Sequence, residues 1–181
     1  MKAAKKPATP QSATWPLDIY KVFKQVGIRQ IAYVPDAGHT QLIKSCHADK
    51  TMRAVSLTTE EEGVAMMAGA WLGGDRGALL MQSSGVGNCI NMFGTIRECR
   101  FPLLTLVTMR GEWGEFNPWQ LPMGQSTPAA LQNAGLVVQR VDDKALVGET
   151  VFAAANMAFQ TNRAVAVLIG QRVVGFKDWS K

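Results

Sequence analysis

Three consecutive carboxylates, Glu60, Glu61 and Glu62, are the residues best placed to do chemistry: they follow Thr58 and Thr59 and open the apolar run GVAMMAGAWLGG. Part of this pattern has a purely local use. Carboxylates in a first helical turn complement the helix dipole, and Thr59 with Glu62 has the spacing of a capping box. The remainder of the helix asks for more. Val64, Ala65, Met66, Met67, Ala68, Ala70, Trp71 and Leu72 put apolar groups on every face, which marks a helix buried in a core or an interface. A carboxylate on its first turn is drawn towards low dielectric, where its proton affinity rises and it becomes an acid–base group. Periodicity does not choose among the three.

Other candidates are more scattered. In MQSSGVGN, Gln82, Ser83, Ser84 and Asn88 offer polar groups around Gly85-Val86-Gly87. A phosphate cradle is one reading, but there is no G-x-G-x-x-G and no Walker lysine, so a tight strand-to-helix turn is favoured. Arg110 opens the segment RGEWGEFNPWQLPMGQ (110–125), long for an α/β connection. It has the shape to clamp an anionic substrate, against the plainer reading of a surface arginine. Trp113, Phe116 and Trp119 in this segment are expected to bury against the domain or a partner. His39 and His47 are isolated and lack metal-ligand spacing; His39, near a strand end, is the better candidate for the site.

The elements that must position these groups alternate regularly. Helices are expected from Pro16 to Gly27, over 38–47, from Thr58 through the GVAMMAGAWLGG run, from about Val86 to Cys99, near 128–134 and over about 143–161. Strands are expected at 31–35, 52–57, 76–82, 101–109, 136–141 and 164–170. Strands apolar throughout are covered on both faces, and their alternation with helices gives an α/β fold: a doubly wound, mainly parallel sheet with helices on both faces. Ligands of such sheets sit beyond the carboxyl ends of the strands. That rule points to Pro35–His39, Thr58–Glu62, Gln82–Asn88 and Met109–Gln125, the segments already singled out by residue type. Residues 14–176 are expected to form one domain, with a flexible arm at 1–13 and a tail at 177–181.

Bulk properties narrow the classes. With 181 residues, 47% hydrophobic and 18% charged, the chain reads as a packed domain. The net charge of +5 is matched by Lys2, Lys5, Lys6, Lys177 and Lys181 near the ends, so no basic stripe remains for nucleic acid. No run approaches the roughly 20 apolar residues of a membrane span. Cys46, Cys89 and Cys99 are odd in number and include no Cys-x-x-Cys, which favours free thiols in a reducing cytoplasm over disulfides or zinc.

TTEEEGVAMMAGAWLGG resembles the stretch around the essential glutamate of thiamine diphosphate-dependent decarboxylases and acetohydroxyacid synthases. Those proteins carry an alanine seven residues after the glutamate and an aromatic ten after it, and some have a glycine two after it; Glu61, Ala68, Trp71 and Gly63 match. Ala70 and Trp71 stand where the family usually has glycine and tyrosine. The resemblance selects Glu61 as the residue that hydrogen-bonds the cofactor's aminopyrimidine ring. YVPDAGHTQLI is similar to the family's first strand end, so Pro35 and Asp36 are implied beside the pyrimidine. Ala37 replaces an acid or serine that helps proton transfer elsewhere, with His39 a possible substitute. SSGVGN is similar to the turn beside the reacting centre, which implies Ser83 and Gly85 as cofactor contacts and His39, Gln82, Asn88 and Arg110 as candidate substrate contacts.

Together with RGEWGEFNPWQLPMG, these motifs are most similar to the group of sulfopyruvate and phosphonopyruvate decarboxylases. The resemblance implies decarboxylation of a small anionic 2-oxo acid, with sulfopyruvate giving sulfoacetaldehyde. Full-length relatives bind Mg2+ and the diphosphate in a second domain through a Gly-Asp-Gly segment, which this sequence lacks. A beta subunit is therefore implied to supply it, in a hetero-oligomer such as α2β2 or larger. A non-catalytic scaffold subunit, another oxo acid or carboligation, and an unrelated nucleotide-binding domain are the competing readings.

Overall fold

The apolar runs become six parallel strands in the computed structural model, which describes residues 14–175. The expected arm at 1–13 and tail at 177–181 lie outside the described residues. The strands are β1 (Ile28–Tyr33), β2 (Arg53–Ser56), β3 (Arg76–Gln82), β4 (Leu103–Thr108), β5 (Val137–Val141) and β6 (Ala164–Ile169), in the order β2-β1-β3-β4-β6-β5. The helices are α1 (Trp15–Val26), α2 (Thr40–Ala48), α3 (Glu60–Leu72), α4 (Ser83–Cys99), α5 (Leu121–Asn133), α6 (Val147–Thr161) and a short α7 (Gln171–Val174). Successive side chains of a strand point to opposite faces, so β3 sends Ala78 and Leu80 into one core and Leu79 and Met81 into the other. The first core is closed by Ile19 and Phe23 of α1, Leu42 of α2 and Val151 of α6. The second is closed by Val64 and Met67 of α3, Phe93 of α4 and Leu131 of α5. The fold is thus the expected α/β sheet, entirely parallel.

The strand order reverses between β1 and β3. At such a switch point neighbouring connections leave to opposite faces and open a crevice at the carboxyl ends. Here that crevice lies between the Pro35–Gly38 segment and the start of α4.

Two local expectations fail. The glycines at 85 and 87 do not form a turn: α4 starts at Ser83, directly after β3. The helix expected near 128–134 starts at Leu121, so the last five residues of the 110–125 segment are helical. Pro122 suits a first helical turn. Pro128 sits inside the helix, where a sequence reading takes proline as a boundary. Packing overrides it: Thr127 is fully buried and its hydroxyl donates to the carbonyls of Met123, at 2.6 Å, and Ser83, at 3.3 Å. Gly124 packs so closely on the Arg110 carbonyl that a Cβ would overlap it.

Candidate active site

The crevice is organised by Asp36. It accepts hydrogen bonds from the Thr108 hydroxyl (2.6 Å), the Gln82 amide (3.0 Å) and the Gly38 N–H (3.2 Å). The ends of β1, β3 and β4 are thereby tied together across the switch point. Gln82 in turn accepts from the Ser84 hydroxyl at 2.9 Å. Asp36 and Gln82 were expected here; Thr108 was not, because a threonine ending an apolar strand carries no sequence signal of its own.

His39 lies behind this network and is fully buried, with Nε2 3.2 Å from the Leu106 carbonyl. Its ring has no exposed surface in this chain. Burial lowers its pKa below the ordinary value, against the opposing pull of Asp36 and of the Leu106 and Met81 carbonyls. A histidine less basic folded than unfolded adds stability that is complete above its unfolded pKa, about 6.5, and lost as pH falls below it. We expect unfolding free energy to decline by up to about 1.4 kcal/mol per pH unit below about pH 6.5, a slope that His39→Gln removes. Denaturant titrations at several pH values check this; an unchanged slope in the variant would exclude His39 as its source.

The three glutamates separate by environment. Glu60 is buried and accepts from the Asn88 side chain at 2.8 Å. Glu62 accepts from the Thr58 N–H at 3.0 Å, while Thr59 makes no side-chain cap; half of the expected capping box forms, displaced by one residue. Glu61 is exposed on the first turn of α3, and its carboxylate has no hydrogen-bond or ion-pair partner among the described residues.

Gly85 explains why Glu60 can be buried. It faces Glu60 from within α4, and a Cβ there would overlap the carboxylate. Gly85→Ala would gain about 1 kcal/mol of helix propensity, but overpacking costs typically 1–3 kcal/mol and the Asn88 bond would shift. We expect a net loss of about 1–2 kcal/mol in urea unfolding; a stabilised variant would mean that α3 and α4 are not held together at this point. Ser83, fully buried, accepts from the Arg110 N–H at 3.1 Å. Of the residues expected at the crevice, Pro35 is exposed, Ser83 is enclosed, and Asn88 and Gly85 serve Glu60.

Arg110 is not a free clamp. Its Nε and Nη2 donate to the two oxygens of Glu115, each at 2.6 Å. Glu115 also accepts from Gly111 N, Asn117 N and the Gln171 amide. The Arg110 bonds first, then those from Asn117 N and Gly111 N, hold the Glu115 pKa down to about 2 against the effect of burial. Gln171, at the start of α7, fixes the same loop by accepting from Glu112 N and Trp113 N. Arg110 still lines a cleft of about 370 Å3 together with Asp36, Thr108 and Lys144. Of the loop aromatics, Trp113 lies under the Arg172 guanidinium and Phe116 under that of Arg110, whereas Trp119 is 86% exposed. Leu72, at the end of α3, is 74% exposed.

The strand ends at the switch point thus carry a polar network on Asp36, and the head of α3 carries the exposed carboxylate of Glu61. Residues 18–122 match the family of thiamine pyrophosphate enzymes, N-terminal TPP binding domain. The chain belongs to this family. A sulfopyruvate decarboxylase subunit alpha from Methanothermobacter thermautotrophicus is 32% identical over 152 residues, 83% of this chain and 92% of that protein. A phosphonopyruvate decarboxylase from Streptomyces viridochromogenes is 34% identical over 131 residues, 71% of this chain but 33% of that longer protein. The fold also matches 2-oxoglutarate:ferredoxin oxidoreductase from Magnetococcus marinus, with a TM-score of 0.73, 16% identity, and coverage of 91% of this chain and 29% of that one. Family membership removes the unrelated nucleotide-binding domain from the competing readings. No helix among the described residues is long and apolar enough to cross a membrane. Among the same residues, no three His, Cys, Asp or Glu side chains cluster as a metal set. Cys46 and Cys89 are buried and Cys99 exposed, all as free thiols.

Proposed function

We propose that this chain is the alpha subunit of a cytoplasmic, thiamine diphosphate-dependent decarboxylase that converts sulfopyruvate to sulfoacetaldehyde and carbon dioxide. The carrying observation is the division of labour at Thr58–Glu62: Glu60 and Glu62 are committed to structure, and Glu61 is the carboxylate without a hydrogen-bond or ion-pair partner among the described residues. The Methanothermobacter relative named as subunit alpha, aligned over nearly its whole length, supports the substrate and the need for a partner.

Thiamine diphosphate supplies an electron sink for the carbanion left when carbon dioxide departs. Glu61 accepts the hydrogen bond of a pyrimidine ring nitrogen and holds the proton there. Pro35 and Asp36 border the ring, with Asp36 fixed by Thr108 and Gln82. Mg2+ and the diphosphate are assigned to a beta subunit, which closes over the α3 helix head and the exposed Leu72 and Trp119 in an α2β2 or larger assembly. Excluding water there would strengthen the Glu61 interaction. Ser83 and Gly85 support the cofactor indirectly, by seating the loop and Glu60. Gln82 is the better placed of the substrate candidates. Arg110 meets an anion only if the Glu115 pair is shared, and His39 and Asn88 act through Asp36 and Glu60.

Phosphonopyruvate is the second reading, favoured by the Streptomyces relative. Carbon dioxide release from sulfopyruvate, phosphonopyruvate and pyruvate, with Mg2+, thiamine diphosphate and the co-purified partner, distinguishes them. Preference for sulfopyruvate supports the assignment, preference for phosphonopyruvate replaces it, and a complex that binds the cofactor but releases nothing from any of them leaves the scaffold reading.

A further inference from the structure

A cleft of about 550 Å3 lies not at the crevice but at the opposite end of the sheet. It lies where α4, α5 and α6 end and β4, β5 and β6 begin. Arg97, Arg100 and Arg163 line it, and no carboxylate among the described residues does. All three arginines are exposed, and none is in an ion pair among the described residues. The rest of its lining is mixed, with Thr161 and Asn162 beside Phe101, Leu136 and Ala164.

Arginines at helix carboxyl ends have a local explanation, since they complement the helix dipoles. Magnitude shows that this explanation is incomplete. Three helix ends carry about −0.5 charge each, or roughly −1.5 together, and the three guanidiniums carry +3. A surplus of roughly +1.5 remains over the lining, which holds no carboxylate among the described residues; the nearest in sequence is the exposed Glu98, outside the lining. The backbone points the same way. Arg100 (φ 56°) and Asn162 (φ 51°) are the only described residues other than glycine with positive φ, and both line this cleft. Asparagine tolerates that conformation, but at a helix end it is normally glycine that adopts it. An arginine there brings a side chain that the backbone geometry does not ask for.

We propose that this cleft is a second binding site, for a nucleoside phosphate, separate from the thiamine diphosphate crevice. The phosphate meets the guanidiniums, which match its oxygens in planar, bidentate geometry. The base packs on Phe101, the half-buried aromatic side chain of the lining, since aromatic faces stack bases. A phosphate monoester carries between one and two negative charges near neutral pH, comparable with the surplus. The volume falls within the range of about 300–1,000 Å3 typical of small-molecule sites. The 17-residue helix α4 separates this cleft from Glu60 and Ser83, a distance of about 25 Å, so neither site is an extension of the other.

Calorimetric titration of the full chain with AMP, adenosine and inorganic phosphate tests the assignment. AMP is expected to saturate, with adenosine and phosphate each at least about tenfold weaker. Arg163→Gln and Arg97→Gln are each expected to weaken AMP about tenfold or more, with Arg163→Lys recovering part of the loss. Affinity of the unaltered chain should fall as salt rises, a readout that needs no variant. Equal binding of AMP and adenosine, phosphate as tight as AMP, affinity indifferent to salt or to the arginine substitutions, or no saturation at millimolar AMP would each overturn the proposal.

Discussion

Glu61→Gln, assembled with its partner chain, is expected to lose roughly 10²- to 10⁴-fold in turnover while the assembly keeps its size. Glutamine preserves the shape of the side chain but cannot hold a proton at the pyrimidine nitrogen. Because Glu61 is exposed and makes no hydrogen bond among the described residues, the substitution removes little that supports the fold. The loss should therefore appear in kcat, with stability of the isolated chain nearly unchanged. Glu60→Gln is the matching control. Asn88 can still donate to a glutamine oxygen, so a modest change is expected there. Carbon dioxide release with size-exclusion chromatography checks both variants. Normal turnover in Glu61→Gln would remove Glu61 from the mechanism, and a larger loss in Glu60→Gln would move the role one residue along the helix.

The second large effect concerns the chain alone. Rigorously partner-free protein is expected to release no carbon dioxide above background, and addition of the partner should restore turnover. The physical reason is incompleteness. Glu61 lies at an open helix end, and no metal-binding cluster is found among the described residues. Leu72 and Trp119 are large apolar groups left largely in water, which on folded surfaces marks contact sites when they form patches. On the proposed reading, the low-dielectric setting for Glu61 is supplied by the partner chain. Decarboxylation by the chain free of all partner would defeat the shared-site reading; Trp119→Ser should weaken assembly, measured by sedimentation, without altering the fold.

Much of this architecture was legible in the residues. β3, for example, runs over Arg76–Gln82 as its apolar run indicates, and α1 stops where Gly27 takes the left-handed conformation. These are local properties: a doubly covered strand must be apolar throughout, and a helix end favours glycine. The spacing of Glu61, Ala68 and Trp71 likewise pointed to a family through sequence alone. What composition and periodicity left open was which glutamate is available, because all three share one helical turn. That depends on Gly85 and Asn88, which follow Glu60 by 25 and 28 positions and reach it only when α3 packs on α4. The same holds for Arg110, whose guanidinium is paired with Glu115, and for His39, whose burial is set by strands that follow it in the chain. The segment around Pro128 shows the converse. Its local signal was to break a helix, and burial of Thr127 against Ser83 outweighed it. Local sequence determined the elements and their order; tertiary packing decided which polar groups are already satisfied, because each partner comes from a different element and meets its mate only in the folded sheet.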